Sequence, residues 1–139
     1  MTYAVSGALQ KAIYEKLVGD VALSALVGNA IFDAPQPSGA GDATEHVTLG
    51  EETARAASTK TSAGAVHDFN VSVHSKSEGF AKAKAVAAAV CDALVDASLT
   101  LVRGQLVALR FVWARAERGE PGEPRNIVLR FRAVVEDNL

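Results

Sequence analysis

A two-residue alternation of apolar and polar side chains near the end of the chain constrains the fold most strongly. One set is expected to point inward: Ile127, Leu129, Phe131, Ala133 and Val135. The other set is expected to point outward: Val128, Arg130, Arg132 and Val134. This period of two is typical of a β-strand that buries one side. The chain is therefore expected to contain a sheet with one buried face.

The segment before this strand alternates in the same way. Its expected inward set is Val107, Leu109, Phe111 and Trp113, and its expected outward set is Ala108, Arg110, Val112 and Ala114. The twice-written Gly-Glu-Pro of residues 119–124 predicts the loop of a hairpin. If Arg118 paired with Arg125, inward residues of one strand would lie opposite outward residues of the other. We therefore predict an odd-length loop or a β-bulge near this turn.

A second hairpin is predicted earlier, from residues 45–56 and 65–75 joined by the polar residues 57–64. Residues 35–44 are rich in Pro, Gly, Ser and Ala and predict a loop. Because the segments 35–44 and 57–64 are polar and lack alternation, we expect them to become ordered only on docking to a partner.

Apolar residues at helical spacing predict three helices. Residues 4–18 form an amphipathic pattern, and Asp20 is placed to cap a short helix over residues 21–27. A long Ala-rich helix is predicted over residues 77–97, opened by a capping box that begins at Ser75. Its small side chains allow close approach to a sheet.

The element order α-α-β-β-α-β-β predicts an α+β fold, with a mostly antiparallel sheet of about four strands and two main helices packed on one face. The length predicts a single domain over residues 1–139. One cysteine cannot form an internal disulfide, and the longest apolar run, residues 85–91, is far shorter than the roughly 20 residues of a bilayer span. We expect a soluble protein made in the cytoplasm, with no membrane partner and no secretory signal.

The sequence predicts no catalytic, cofactor-binding or metal-binding residues. His67 and His74 are seven residues apart on one predicted strand, so they point to opposite faces and cannot share an ion. Cys91 lies on the buried side of the long helix, where a thiolate is disfavoured, and Asp92 and Asp96 lie on its solvated side. A small enzyme or ligand-binding module stays an alternative, which a deep polar pocket holding His67 beside a carboxylate would favour.

Positive charge is concentrated late in the chain. Residues 103–132 hold seven Arg and three Glu, although the formal net charge of the whole chain is −2. On the outward face, Arg110, Arg130 and Arg132 alternate with Val and Ala rather than with Lys, Glu and Thr. Such a face suits coverage by another protein or the lining of a channel. A solvated sheet face stays an alternative. Nucleic acid is a weaker candidate, because no exposed aromatic side chain is expected between these Arg residues.

The outward positions of the earlier hairpin, Glu52 and Asp68 among them, are polar to acidic. One face of the sheet is thus expected to be acidic at one end and basic at the other. A split of this kind suits head-to-tail association of identical subunits into a closed ring. The candidate contact or channel-lining face therefore consists of Arg110, Arg130, Arg132, Glu52 and Asp68.

Seven segments, in a particular order and spacing, carry a resemblance to a known family: Ala8–Leu17, Asp20–Gly28, Ala30–Pro35, His46–Gly50, His67–Ser75, Val107–Arg115 and Val128–Ala133. Together they resemble the small tail-terminator, or tail completion, proteins of long-tailed phages and gene transfer agents. The likeness covers almost the whole chain. Thr44 and Glu45 depart from the Pro expected in many relatives, which leaves only the start of that strand without support.

The resemblance implies a structural role in a virion or gene-transfer-agent tail. Members of the family form a hexameric ring on the head-proximal end of the tail tube and stop its polymerisation. The ring offers a docking surface to head-completion, connector or stopper proteins, and DNA passes its channel without sequence-specific binding. The resemblance supplies no catalytic residues and no cofactor. Another head-tail connector subunit stays an alternative.

Overall fold

The computed structural model describes residues 3–33, 44–58, 63–77, 79–118 and 125–137. The helices and strands follow in the order α1 Ser6–Val18, α2 Val21–Val27, β1 Ile31–Phe32, β2 Glu45–Ala56, β3 Ala63–Ser75, α3 Ala81–Leu94, β4 Gln105–Glu117 and β5 Arg125–Asp137. Of the loops expected over 35–44, 57–64 and 119–124, residues 35–43, 59–62 and 119–124 lie outside the described residues, so the ordering of the first two loops on docking stays a prediction. Ala63 and Gly64, expected in the second loop, belong to β3.

The strands form one sheet in the order β1-β2-β3-β5-β4. All neighbours are antiparallel except β1, which runs parallel to β2 and pairs Ile31 with Val47 and Phe32 with Thr48. The predicted α+β fold with a mostly antiparallel sheet is confirmed. The sheet has five strands rather than about four, because the short extended piece at Ile31 joins the edge of β2.

The three helices cover one face of this sheet and enclose the core. Leu9, Ile13 and Leu17 of α1 are buried, as are Leu23 of α2 and Leu94 of α3. The inward residues predicted for the last strand are buried under them: Ile127, Leu129, Phe131, Ala133 and Val135. Each large apolar side chain contributes about 1.5–3 kcal/mol when fully buried, so this layer holds the fold together. None of the helices in the described part of the chain is long and apolar enough to cross a bilayer.

The short helix α2 begins and ends as its sequence predicts. The Asp20 carboxylate accepts a hydrogen bond from the Leu23 amide at 2.9 Å, which satisfies one of the free N–H groups of the first turn. Gly28 ends the helix with φ 62°, a conformation that side chains with a Cβ rarely adopt. The chain can therefore turn sharply from α2 into β1.

The start of α3 differs from the prediction. The helix begins at Ala81 rather than residue 77, and no side chain caps it. The hydroxyls of Ser75 and Ser77 instead donate to the Glu45 carboxylate, at 2.8 Å and 2.6 Å. Burial raises the pKa of Glu45, but the hydrogen bonds from Ser77, Thr44 and Ser75 outweigh it and bring the pKa below its usual value. These serines tie the end of β3 to β2 instead of opening a helix.

Two β-bulges interrupt β4, between Leu106 and Ala108 and between Phe111 and Trp113. The predicted bulge of this hairpin is confirmed, although it lies within the strand rather than at the turn. Beyond the second bulge, the residues of β4 that were expected to point inward point outward, and the reverse. Phe111 pairs with the inward Phe131, whereas Trp113 pairs with the outward Arg130. The prediction that Trp113 faces inward and Ala114 outward was therefore wrong.

Candidate assembly surface

The outer face of the sheet, on the side away from the helices, brings together three of the predicted residues. Asp68 of β3, Arg132 of β5 and Arg110 of β4 stand side by side in one row. Arg132 donates to both oxygens of Asp68, from Nε at 2.8 Å and from Nη2 at 3.1 Å. The hydrogen bonds from Arg132 outweigh the effect of burial and hold the pKa of Asp68 below its usual value. This pair locks β3 to β5.

Arg130 lies flat across the same face. It donates from Nη1 to the Asn70 side-chain oxygen at 2.8 Å and from Nη2 to the Thr53 hydroxyl at 3.0 Å, so it bridges β5, β3 and β2. Arg110 differs from Arg130 and Arg132, because it makes no hydrogen bond or ion pair with any residue that the structure describes. Of the three outward arginines, Arg110 is thus the one whose charge is available to a partner.

An aromatic side chain shares this face, contrary to the expectation from sequence. Trp113 is 40% exposed and stands opposite Arg130, and the Arg115 guanidinium carbon lies 5.8 Å from the centre of its ring. The bulge at Phe111 moves Trp113 outward. The expectation that no exposed aromatic side chain lies between these Arg residues was therefore wrong, although Arg130 and Arg132 are already held by side chains of the same molecule.

Glu52 does not belong to the outer face. A bulge in β2 between Leu49 and Glu52 turns its carboxylate toward the helices. There it accepts hydrogen bonds from the Tyr3 and Ser6 hydroxyls, the latter at 2.9 Å, and its Oε2 lies 3.0 Å from His67 Nδ1. The expected acidic end of the outer face therefore lacks Glu52. This contact was not predicted, because it depends on the bulge at Gly50 and Glu51.

The pair of His67 and Glu52 meets only half of the condition set for a catalytic or ligand-binding site. A carboxylate does lie beside the imidazole, but His67 is fully buried and Tyr3 stacks over its ring at 5.9 Å. The small depression next to Glu52 is lined largely by apolar side chains of the core, such as Leu9 and Phe69. The arrangement ties the start of α1 to the sheet, and the described residues bury the imidazole completely.

Two further histidines, His46 and His74, lie next to each other toward the other end of β3. His74 is on the outer face, as predicted, and stacks on His46 with ring centres 4.5 Å apart. His74 Nδ1 lies 2.6 Å from the Asn126 side-chain oxygen, and its Nε2 lies 3.0 Å from the Thr48 hydroxyl. Burial, reinforced by His74 and Lys76, lowers the pKa of His46 to about 4. His46 is therefore neutral at physiological pH.

The edge strand β4 extends beyond the helix layer. From Arg110 to Arg118 every residue is exposed. On the helix side this leaves an open groove between α3 and the two last strands, lined among others by Ala87, Ala88, Cys91, Phe111, Ala114 and Leu129. The groove could not be predicted from the alternation of β4, because alternation alone does not reveal where a covering helix ends.

Comparison with known proteins identifies relatives of this whole arrangement. The family described as "Tail completion protein gp17" matches residues 11–136. A chain in the solved structure "Virion of native gene transfer agent (GTA) particle" is 53% identical, with a TM-score of 0.89 over 97% of this chain and 99% of that one. No match was found among curated proteins. Because the family matches nearly the whole length, the chain belongs to the tail completion protein gp17 family.

Proposed function

We propose that this protein forms a hexameric ring on the head-proximal end of a phage or gene-transfer-agent tail tube. The ring stops polymerisation of the tube and offers a docking surface to a head-completion, connector or stopper protein. DNA passes through its channel without sequence-specific binding. The coarser assignment, a structural protein of the tail, follows from the family and from the relative in a gene-transfer-agent virion.

The observation that carries the proposal is the likeness to a chain of an assembled particle, because it extends over 97% of this protein at 53% identity. The surface of the domain fits such a role. Its outer face is stiffened by the contacts of Arg130 and Arg132, while Arg110 and Trp113 at the edge remain available. A rigid plate with an accessible edge suits capping by surface complementarity, which needs no chemical step.

The test is a tube-capping assay. Purified tail-tube protein is polymerised with and without this protein, and tube lengths and tube ends are examined by negative-stain electron microscopy. We expect shorter tubes with added density at one end only. Light scattering coupled to size-exclusion chromatography on the end-bound fraction and on the free protein reports whether six copies associate.

A charge reversal on the outer face connects this assay to the structure. Arg110→Glu is expected to weaken ring formation or capping without unfolding the domain, because Arg110 has no partner to lose among the described residues. Arg130→Glu is a less clean variant, since Arg130 holds Asn70 and Thr53. Lys16→Glu is the matched control, an equal charge change at an exposed position of α1 away from the outer face of the sheet.

Two results would contradict the proposal at different levels. Unchanged capping by Arg110→Glu would remove the outer face from the contact surface while leaving the ring intact. A strict monomer that ignores tubes at high concentration would contradict the terminator function. That outcome would favour another head-tail connector subunit or a ligand-binding module.

A further inference from the structure

We propose that the groove between α3 and β4 receives the α1–α2 corner of the neighbouring copy in the ring. The α1–α2 corner is defined here as Tyr14, Val18, Val21 and Leu26, the exposed apolar residues of α1 and α2. This inference rests on the proposed ring and deepens it by assigning the contact between subunits. Each subunit would give its corner to one neighbour and its groove to the other.

The groove is an apolar surface left uncovered by the molecule's own helices. Phe111 is 45% exposed although it faces the helix side, and the exposed Ala114 and Ala116 follow it along β4. Ala88 and Ala87 of α3 form the opposite wall. Because every alanine side chain is short, the groove is wide enough to admit larger side chains from outside. Exposed apolar surface of this kind marks an interaction site.

The α1–α2 corner supplies large apolar side chains that the fold does not use. Val21 is 84% exposed, Leu26 44%, Val18 41% and Tyr14 36%. The ends of the two helices are held together, since the Ser24 hydroxyl donates to the Val18 carbonyl at 3.3 Å. Exposed apolar side chains on two helices that are held together suit a groove lined by alanine.

The two surfaces lie at opposite ends of the domain. The groove accompanies β4 at one edge of the sheet, whereas α1 and α2 pack near β1 and β2 at the other edge. A contact between unlike surfaces is heterologous, so each copy retains one free corner and one free groove until a ring closes. The same contact thus serves every subunit equally, and a second copy of this chain is the occupant that satisfies both surfaces at once.

Charge favours the same pairing. Among the described residues that line the groove, Lys84 is the one ionisable group apart from the Cys91 thiol. Glu15 precedes Val18 by three residues and therefore shares its side of α1, as does Lys11 three residues before Tyr14, whereas Lys16 precedes Val18 by two and points away. Asp20 lies between the two helices of the corner. Docking would bring the carboxylates of Glu15 and Asp20 toward the Lys84 ammonium group, whereas two grooves in contact would bring two ammonium groups together.

Disulfide cross-linking tests this contact directly. Val21→Cys and Ala114→Cys are introduced together in a Cys91→Ala background, and the protein is oxidised in tube-capping conditions. We expect a ladder of covalent oligomers that ends at the ring. Mixing the two single-cysteine variants is expected to give covalent dimers, whereas each variant alone gives none, because unlike surfaces meet. Thr100→Cys with Val21→Cys is the control, since Thr100 is exposed but does not line the groove.

A matched pair of helix variants provides the second measurement. Ala88→Arg fills the groove, and Ala85→Arg adds the same side chain to an exposed position of α3 that does not line it. Arg and Ala are both strong helix formers, so both variants are expected to fold. We expect Ala88→Arg to weaken self-association at least tenfold and Ala85→Arg to leave it within twofold.

The outcomes separate the two proposals. Rings that cap tubes but give no Val21–Ala114 cross-link, or that tolerate Ala88→Arg, would overturn the contact and leave the terminator function standing. Cross-linked rings that do not cap tubes would support the contact and overturn the function. Protein that stays monomeric with and without tubes would overturn both. If Ala88→Arg retains rings but loses only end-binding, the occupant of the groove is the tube protein.

Discussion

The neighbouring strands β4 and β5 are equally long and alternate in similar ways, yet their burial differs sharply. The five inward residues of β5 are at most 4% exposed. In β4, burial ends at Leu109, and Phe111 one row further is 45% exposed. β5 lies between two strands and under the helix layer, whereas β4 forms the edge and extends past α3. Alternation therefore reports which side chains share a face, and the covering layer decides whether that face is buried.

The largest expected effect compares two phenylalanines that face each other across these strands. Phe131→Ala is expected to lower the free energy of unfolding by about 3–5 kcal/mol, because Phe131 is fully buried between Phe69 and Phe111. Phe111→Ala is expected to cost about 1 kcal/mol in the isolated domain, since its ring is already half in water. Urea denaturation measures both. Equal losses would break the comparison, because β4 would then be part of the core.

Acid is expected to lower the free energy of unfolding through β2, which holds His46, and not through β4, which contains no histidine. The pKa of His46 is lowered to about 4 in the folded state, so between pH 6.5 and 4 the unfolded chain binds more protons than the native one. Stability is therefore fully present above pH 6.5 and is lost as the pH falls toward 4. At about 1.4 kcal/mol per pKa unit, the loss amounts to about 2–3 kcal/mol.

Denaturation midpoints between pH 7 and 5 measure this effect before most carboxylates titrate. His46→Phe serves as the comparison variant, because it retains an aromatic ring beside His74 and Phe32 without a titratable group. We expect its stability to vary less with pH over this range. An unchanged slope would show that another group controls the acid response.

The smallest expected effect concerns the outward arginines of the two strands. Arg132→Gln is expected to lower the melting temperature by a few degrees, because it breaks the two-pronged hydrogen bonding to Asp68. Arg110→Gln is expected to leave the melting temperature within experimental error, since Arg110 has no partner among the described side chains. Differential scanning calorimetry measures the melting temperatures of both variants. A larger decrease for Arg110→Gln than for Arg132→Gln would mean that Arg110 supports the fold rather than an interface.

Much of the fold could be predicted from local patterns. The period of two identified β3, β4 and β5, and Asp20 marked the start of α2 correctly. Parity predicted either an odd-length loop or a bulge near the last turn, and it could not tell that a bulge would lie within β4. An extra residue anywhere between Leu109 and Arg118 satisfies the same count. The bulge between Phe111 and Trp113 moves Trp113 to the outer face.

The candidate site was harder to predict. The wrong predictions concern side chains that can choose between two competing partners or positions. Ser75 and Ser77 suit a helix cap, but the buried carboxylate of Glu45 competes for their hydroxyls and wins. Glu52 suits an outward position until the bulge after Leu49 brings it to His67. Asp68 and Arg132 were correctly placed on one face, yet their mutual pairing depends on a strand contact that joins distant parts of the chain.

That strand contact also governs how the molecule can fold. β3 and β5 form the centre of the sheet, pairing Ala63 with Asp137 and Ser75 with Arg125. Each hairpin can form locally, but the centre cannot form until the hairpins meet, and closing so long a loop is entropically costly. Refolding is therefore expected on the millisecond-to-second timescale of proteins rich in distant contacts. Until then, both strands of the future centre are unpaired on that side, and a newly made chain is most prone to aggregate in this interval.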